Sequence, residues 1–423
     1  MDGCFSPRMH RFMVFPVRPV RFRLVRRCLV AWAVLATILS AGPLRAQIVR
    51  LPHPDTTAGN FFGVSVAIEG DRAVVGASSE DACGPNSGAA YVFERDPQTD
   101  TWAPAARLLA DDCAGGDYFG RSLDLSGDRI LVGAARGILN LQAGNAAYVF
   151  ERDTLTGTWV QTAKLEGDPE AEAAEGAFAT SVSLDHDRAL ITTSGDPSDG
   201  RSHGAAYIFE RRPDGSWQQA ARLTGNGPLR TGIFGGNGVI EGDRAVVAAS
   251  TYFAYRPGSI YVFERDPATN TWRPVRRFGG IDDFFISLDL DGDRILVGES
   301  KGGRRQSGEA SLFQRTADGT WEAADTIRPA TPYDHGAFGA TVALQGDRLL
   351  ATGYDEQLRF DFNIDRVVYV FARDAQTGSW RQRHVIDIGA VAFGTAIDLD
   401  GPYAIIGQAS DDAPGAAYIV RIR

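Results

Sequence analysis

Histidine, cysteine and methionine are all scarce in this chain, with six, four and three copies among 423 residues. Beyond the first 46 residues the imidazoles are His53, His186, His203, His335 and His384, scattered singly, so none has the paired spacing of a zinc site. There is no His-Glu-x-x-His motif, no Gly-x-Ser-x-Gly elbow and no Walker-type phosphate loop, which removes the hydrolases and nucleotide enzymes that announce themselves by motif. The apolar run Cys28 to Ala41 is too short for a comfortable membrane span. Positive charge is the other deficit. The formal net charge is −10, and residues 1–46 hold eight Arg against one acid, so the remainder stands at −17. That balance argues against nucleic acid or an anionic membrane as partner, since both reward clustered Lys and Arg. Solubility accounts for the excess acid.

Residues 1–46 differ in kind from the rest of the chain. Arg-rich sequence leads into the apolar run, and Leu44-Arg45-Ala46 offers a small residue before Gln47, the pattern of a cleaved signal peptide. The basic lead is long, so Met9 or Met13 is a candidate initiator. Arg26-Arg27 lacks the rest of a twin-arginine motif, which favours ordinary secretion. The expectation is an exported protein, periplasmic or extracellular, with no membrane insertion once the signal is removed. Cys4 and Cys28 would leave with the signal. Cys83 and Cys113 would remain as an even pair in an oxidising compartment and are expected to form a disulfide.

What is abundant is repetition. Phe-x8-Asp-Arg recurs with Phe62, Phe119, Phe178, Phe234, Phe284 and Phe338, and a seventh copy at Phe393 meets Pro402 instead of Asp. Successive Phe residues are 57, 59, 56, 50, 54 and 55 positions apart, a period of stacked or radial units. Within each unit a partly alternating run such as Gly63 to Ile68 reads as a strand with two unlike faces. Gly70-Asp71 comes next as a tight hairpin turn, then the apolar Ala73 to Ala77 as an inner strand buried on both faces. Gly88 to Phe93 gives a third strand, and a fourth carries one Trp, at 102, 159, 217, 272, 321 and 380, as a packing anchor between sheets. Seven units of four strands predict an all-β, seven-bladed β-propeller of antiparallel blades over residues 47–423. The last unit stops after Gly415 to Ile419 without its Trp strand, whereas Gln47 to Leu51 precedes Phe62 as Ala106 to Leu109 precedes Phe119. The N-terminal strand is therefore expected to complete the last blade and remove an open edge.

Phe62-Gly63-Val64-Ser65 with Val75-Gly76-Ala77, and Phe119-Gly120-Arg121-Ser122 with Val132-Gly133-Ala134, resemble the FG-GAP repeat, the propeller unit also found in integrin α-chains. Thr156-Gly157-Thr158-Trp159 and Thr377-Gly378-Ser379-Trp380 resemble the hairpins of secreted bacterial FG-GAP proteins. The resemblance implies a propeller used for binding or adhesion, often to protein or glycan, with no reaction attached. Integrin-type units hold Ca²⁺ in a longer acidic loop between their first two strands. Here that connection is a two-residue turn, as in Leu288-Asp289-Leu290-Asp291-Gly292-Asp293-Arg294, too short to supply six to eight oxygens, so neither Ca²⁺ nor another cofactor is expected.

An active site needs one asymmetric constellation, so residues repeated in every blade are read as structural. The Arg after each Gly-Asp, and Glu94-Arg95 with its echoes, are expected as rim ion pairs of small individual worth. The Tyr residues at 91, 148, 207, 261, 369 and 418 are expected to pack strands. Asp153-Thr154-Leu155-Thr156-Gly157-Thr158-Trp159 invites comparison with the Ser-x-Asp-x-Gly-x-Thr-Trp box of sialidases, but its Asp-to-Gly spacing is four, not two. Asymmetry is sought instead in the longer loops, which all leave one face. That face should carry Asp196, Asp199, Arg201 and His203; Tyr252, Phe253 and Tyr255; Lys301, Arg304 and Arg305; Tyr333, Asp334 and His335; and Asp411 and Asp412. The expected function is a monomeric, non-enzymatic binding or adhesion module that recognises a protein or glycan there. The alternative is a hydrolase or lyase with loop-borne acid and base on the same scaffold.

Overall fold

A computed structural model describes residues 47–53, 57–135, 145–167, 178–193, 204–225, 232–251, 257–281, 286–354, 366–390, 392–410 and 413–422. The strands within them form seven four-stranded antiparallel sheets. Strand β1 (Ile48–Arg50) precedes blade 1, which is β2 (Phe62–Glu69), β3 (Arg72–Ala77), β4 (Ala89–Asp96) and β5 (Thr101–Leu108). Blade 2 runs from β6 (Phe119–Ser126) to β9 (Trp159–Leu165), blade 3 from β10 (Phe178–Asp185) to β13 (Trp217–Leu223), and blade 4 from β14 (Gly232–Glu241) to β17 (Thr271–Ile281). Blade 5 runs from β18 (Ser287–Asp291) to β21 (Trp321–Ile327) and blade 6 from β22 (Val342–Gln345) to β25 (Trp380–Ile386). Blade 7 comprises β26 (Phe393–Asp400), β27 (Tyr403–Gln408), β28 (Ala416–Arg421) and β1. The first strand of each blade touches the first strands of both neighbours, which closes the ring around a narrow axial channel. Phe284, which set the fifth register in the sequence, lies outside the described residues.

Each piece of the repeat has a physical reason. Glu69 pairs directly with Arg72, so Gly70-Asp71 is a two-residue hairpin loop. Gly70 takes φ +59°, and in blade 3 His186 occupies the same place at +51°. The Phe of the Phe-Gly pair is buried: Phe62 sits in T-shaped contact with Tyr91 and Phe93, with centroids 5.8 and 6.4 Å away. Its Gly is needed because blades meet there. A Cβ on Gly63 would lie 2.3 Å from the carbonyl oxygen of Ala416 in blade 7, and one on Gly76 would lie 2.0 Å from that of Gly120 in blade 2.

The apolar interior is divided into seven clusters, one between each pair of neighbouring blades. Phe62, Phe93 and Trp102 of blade 1 pack with Ile405 and Ile419 of blade 7, and Val74 and Val92 of blade 1 with Ile130 and Phe150 of blade 2. The remaining five boundaries repeat the arrangement. Each Trp joins or borders one of these clusters, as expected, while the blade 6–7 cluster is completed by Ile422. A fully buried Phe contributes roughly 1.5–3 kcal/mol by area, so these interfaces hold the ring.

The last blade is closed as the sequence predicts. Ile48 pairs with Val420, Val49 with Ile419 and Arg50 with Tyr418. The Leu51 N–H donates to Ala417 O at 2.8 Å and the Arg421 N–H to Gln47 O at 3.2 Å.

Polar side chains also cross every blade boundary. At the end of each inner strand one side chain accepts the backbone N–H of the next blade's turn. Glu69 accepts from Gly127, Ser126 from His186 (3.0 Å), Asp185 from Gly242 (2.6 Å) and Glu241 from Gly292 (2.6 Å). Asp291 accepts from Gly346 (3.0 Å), Gln345 from Gly401 (2.6 Å) and Asp400 from Gly70 (2.7 Å), which brings the series back to blade 1. The repeated arginines do more than the rim pairing expected of them, because their partners lie in the adjacent blade. Arg72 reaches Asp128 at 2.9 Å, Arg129 reaches Asp187 at 3.3 Å, Arg188 reaches Asp243 at 3.2 Å and Arg244 reaches Asp293 at 3.1 Å. A second belt links the Arg at the end of a third strand to a Glu of the previous blade, as in Arg152–Glu94, Arg211–Glu151 and Arg315–Glu264. Several of the repeated Tyr residues combine packing with a hydroxyl bond, as with Tyr148 donating to Asp112 (2.8 Å) and Tyr418 to Gln408 (3.0 Å), whereas the buried Tyr261 hydroxyl has no partner among the described residues.

Two residues earlier on the inner strands of blades 2, 5 and 7, Asp124, Asp289 and Asp398 line the channel. Each carboxylate accepts the next N–H of its own strand and one from the following blade: Leu184, Leu344 and Ile68 donate at 2.7, 2.6 and 2.7 Å. All three residues are half-buried on the inner strands of their blades. Burial, and the charge each feels from another of the three or from nearby acids, outweighs the N–H bonds. It raises Asp124 to about 7, Asp398 to about 6 and Asp289 well above the usual carboxyl range.

This architecture sets two expected outcomes. Deleting Gln47–Leu51 exposes the edge of β28. It should lower the melting temperature by roughly 5 °C or more, at about 1 kcal/mol per lost hydrogen bond and about 2–4 °C per kcal/mol. An unchanged, monomeric variant would refute the closure. The raised carboxyls make the folded chain hold more protons than the unfolded one from about pH 4 up to about 7, so stability falls as pH rises through that window. The melting temperature should be higher at pH 5 than at pH 8, and D124N/D289N/D398N should flatten the difference. His186, raised by its bond to Asp185, acts in the same sense but is unchanged in that variant. A slope that survives the triple substitution would assign the effect elsewhere.

Candidate functional site on the loop-rich face

The loops joining the second and third strands of a blade, and the joints between blades, leave the face opposite the Gly-Asp turns. In blade 1 the first of these is Ser78–Gly88, and residues 109–118 lead on to blade 2. A disulfide joins Cys83 to Cys113, with Cα atoms 6.0 Å apart. Beside it the two segments form a short ladder: the Gly116 N–H donates to Pro85 O (2.7 Å), Tyr118 to Asn86 O (3.0 Å) and Phe119 to Ser87 O (3.0 Å).

The same ladder recurs at blades 5 and 6, where the His335 N–H donates to Arg305 O (3.2 Å) and Phe338 to Ser307 O (3.1 Å). No cysteine is present there. An ion pair between Arg305 and Asp334 at 2.9 Å links the two segments, with side chains 78% and 51% exposed, so it contributes at most about 1 kcal/mol. Of the predicted binding residues, the fold thus brings together Arg305, Asp334 and His335, with Tyr333 half-buried alongside and Lys301 and Arg304 exposed on the same loop. Asp196, Asp199, Arg201, His203, Tyr252, Phe253, Tyr255, Asp411 and Asp412 lie outside the described residues.

The face also holds a cavity of about 570 Å³ that none of those predicted residues lines. Its walls are Phe61, Val64, Ser78, Ser79, Asn86, Tyr118, Arg121 and Thr180, drawn from blades 1, 2 and 3. Val64, Arg121 and Thr180 each stand two positions after the Phe that starts an inner strand, which sets them at the mouth of the channel. Phe61 and Tyr118 stand just before that Phe, with φ of 57° and 53°, a region unfavourable for a bulky side chain. The conformation belongs to the repeat, since Ala337 and Ala392 adopt it at 48° and 62° before Phe338 and Phe393. The aromatic side chain at that place is particular to blades 1 and 2.

The electrostatics around the cavity are one-sided. Next to Ser79, Glu80 is buried and accepts the Tyr91 hydroxyl on both oxygens at 2.9 and 2.8 Å, with Arg107 paired to it and His53 close by. Burial pushes its carboxyl up, but hydrogen bonds from His53 and Tyr91 and the charge of Arg107 outweigh it and hold it below the ordinary value. Glu80 is thus an ionised structural acid, unsuited to donating a proton. Among the described residues the Arg121 side chain has no ion pair or hydrogen bond, and no carboxylate, imidazole or thiol lines the cavity. Among the described residues, too, no group of three or more His, Cys, Asp or Glu is placed to hold a metal ion, and no helix is long and apolar enough to cross a membrane.

Sequence reasoning missed Phe61, Tyr118 and Arg121: it read Arg121 as part of the repeat and did not single out the other two. A signal was present. Aligned two positions after each Phe, the seven units read Val64, Arg121, Thr180, Gly236, Ile286, Ala340 and Thr395, with one charged residue among them.

No curated protein matches the chain. Among solved structures it is similar to a protein assigned as a 6-phosphogluconolactonase from Bacteroides fragilis NCTC 9343, at 14% identity, covering 79% of this chain and 87% of that one, with a TM-score of 0.49. It is also similar to the periplasmic gluconolactonase of Pseudomonas aeruginosa, at 15% identity, covering 85% and 88%, again with a TM-score of 0.49. Likenesses this distant transfer neither substrate nor active-site residues. The FG-GAP repeat family model matches residues 46–93, 102–150 and 159–209, which run from the closing strand through the third strand of blade 3. The first three units are thus FG-GAP repeats, and four further units of the same build complete the seven-bladed β-propeller.

Proposed function

We propose that the protein is a non-enzymatic binding module, whose protein or glycan ligand docks on the loop-rich face at the cavity over blades 1 to 3. The observation that carries this reading is the lining. Two aromatic side chains and an arginine without an internal partner are the residue types that anchor interfaces. The volume lies within the roughly 300–1,000 Å³ of ordinary ligand sites. A hydrolase or lyase needs an acid and a base within reach of one substrate, and the lining supplies neither. The carboxyls with raised pKa sit deeper in the channel, where their oxygens already accept backbone N–H groups. The Cys83–Cys113 bridge fits work in an oxidising compartment after export, and the excess of acid fits a soluble monomer that avoids nucleic acid. Neither a metal nor a cofactor is required by this reading.

The deciding experiment sets the full chain on a glycan and protein array beside a panel of glycoside, ester and lactone substrates. Retention on the array without turnover is the expected result. Turnover without stable binding would overturn the proposal.

A further inference from the structure

Most arginines of the repeat are neutralised in place by an acid of the same or the adjacent blade. Arg121 is the exception that faces the cavity. It is exposed, it is the one cation among the seven residues at the channel mouth, and its side chain has no internal partner among the described residues. Three further side chains of the same lining, Ser78, Ser79 and Asn86, likewise make no hydrogen bond within the described residues, whereas the Thr180 hydroxyl is held by Thr192 at 3.1 Å. Phe61 and Tyr118 add two rings, each on backbone that accommodates alanine in other blades. The cavity therefore combines an available guanidinium, uncommitted hydroxyl and amide groups, and flat apolar surface.

We infer that this cavity is a subsite for an acidic sugar, with Arg121 pairing the carboxylate of a uronic-acid residue; the inference rests on the loop-rich face being the binding face. A guanidinium matches a carboxylate in two parallel N–H···O bonds, a geometry that a lysine does not reproduce. The rings of Phe61 and Tyr118 offer apolar area to the C–H face of a pyranose. Ser78, Ser79 and Asn86 can both donate and accept, which suits ring hydroxyls better than an acidic peptide, whose side chains bring only acceptors. With a formal charge of −17 outside residues 1–46, the rest of the chain repels anions in general, so the site takes an anion only where a neutral sugar scaffold also fits. Asp124, three residues further along β6, already accepts the N–H groups of Leu125 and Leu184, which keeps the carboxylate of a ligand at the mouth.

The test is calorimetric titration of the full chain with oligogalacturonate and oligoglucuronate, with the methyl esters of both, and with an oligoglutamate peptide of matched charge. One of the two uronides should bind, its methyl ester at least tenfold more weakly, and its affinity should fall as salt is raised. Arg121→Ala should weaken that binding at least tenfold with an unchanged melting temperature, and Arg121→Lys should restore only part of it. Equal affinity for acid and ester, or an Arg121→Ala variant that binds as before, overturns the inference. Binding of the peptide in place of the sugars, lost in Arg121→Ala, overturns the sugar and leaves the binding module standing. Binding of no probe overturns the inference as well, and a protein hit on the array then shows that only the ligand class was wrong.

Discussion

Everything in this fold depends on closing a ring of seven sheets that share no strand. Each boundary is met by the same device: a side chain at the end of one inner strand accepts the turn N–H of the next blade, from Glu69 to Gly127 and so on to Asp400 and Gly70. These turns lie at or near the solvent, where water could take the N–H instead, so each bond contributes only about 0.5–1.5 kcal/mol but ties one blade to the next. The Phe-Gly pair sits at the same seam, Gly63 because the neighbouring carbonyl leaves no room for a Cβ and Phe62 because it fills the wedge between sheets. Apolar packing supplies most of the cohesion, and the hydrogen bonds fix the angle at which blades meet.

The junction of blade 7 with blade 1 shows what the repeat requires, since there the pattern changes. Pro402-Tyr403 replaces Asp-Arg, so the interblade arginine is missing. Tyr403 takes its place by donating to Asp100 at 2.6 Å, accepting from Arg95 at 3.0 Å and packing edge-on to Trp102 at 6.2 Å. With β1 drawn from the other end of the chain, the seam is held by short strand pairing, an aromatic contact and a polar triad together. A boundary that closes over more than 300 residues of chain carries a larger loop-closure cost than its neighbours, although that cost grows only with the logarithm of length.

Much of this was legible because it is local. Gly-Asp between two apolar runs specifies a two-residue turn, and a missing Trp strand at one end with an unassigned strand at the other specifies the closure. The arginines were legible as ion-paired but not as interblade links, because Arg72 lies 22 residues from Glu94 and 56 from Asp128, and spacing does not say which is nearer. The cavity was not legible as a cavity. Its lining comes from loop, joint and inner-strand positions of three blades, and Arg121 belongs to a strand that the repeat pattern explains without remainder. The loop residues at 301–305 and 333–335 were read onto the right face, but the fold turns Arg305 and Asp334 toward each other and satisfies their charge internally.

The channel acids show how a repeat tolerates exceptions. At the position of Asp124, Asp289 and Asp398 the other blades carry Ala67, Ser183, Val239 and Ala343. Ser183 still accepts the N–H of Ile240 at 3.2 Å, while the Ala and Val side chains can accept nothing. A carboxylate at this place accepts two N–H groups at once but loses its hydration, and every added one raises the cost for the others by repulsion. Placement in blades 2, 5 and 7 leaves at least one inner strand without an acid at this position between any two of the three, counted either way around the ring. Seven such acids would repel one another across the axis, and none would leave six more backbone donors without a side-chain partner. The observed number is a compromise between hydrogen bonding, which acts between neighbouring blades, and Coulomb repulsion, which acts across the whole ring.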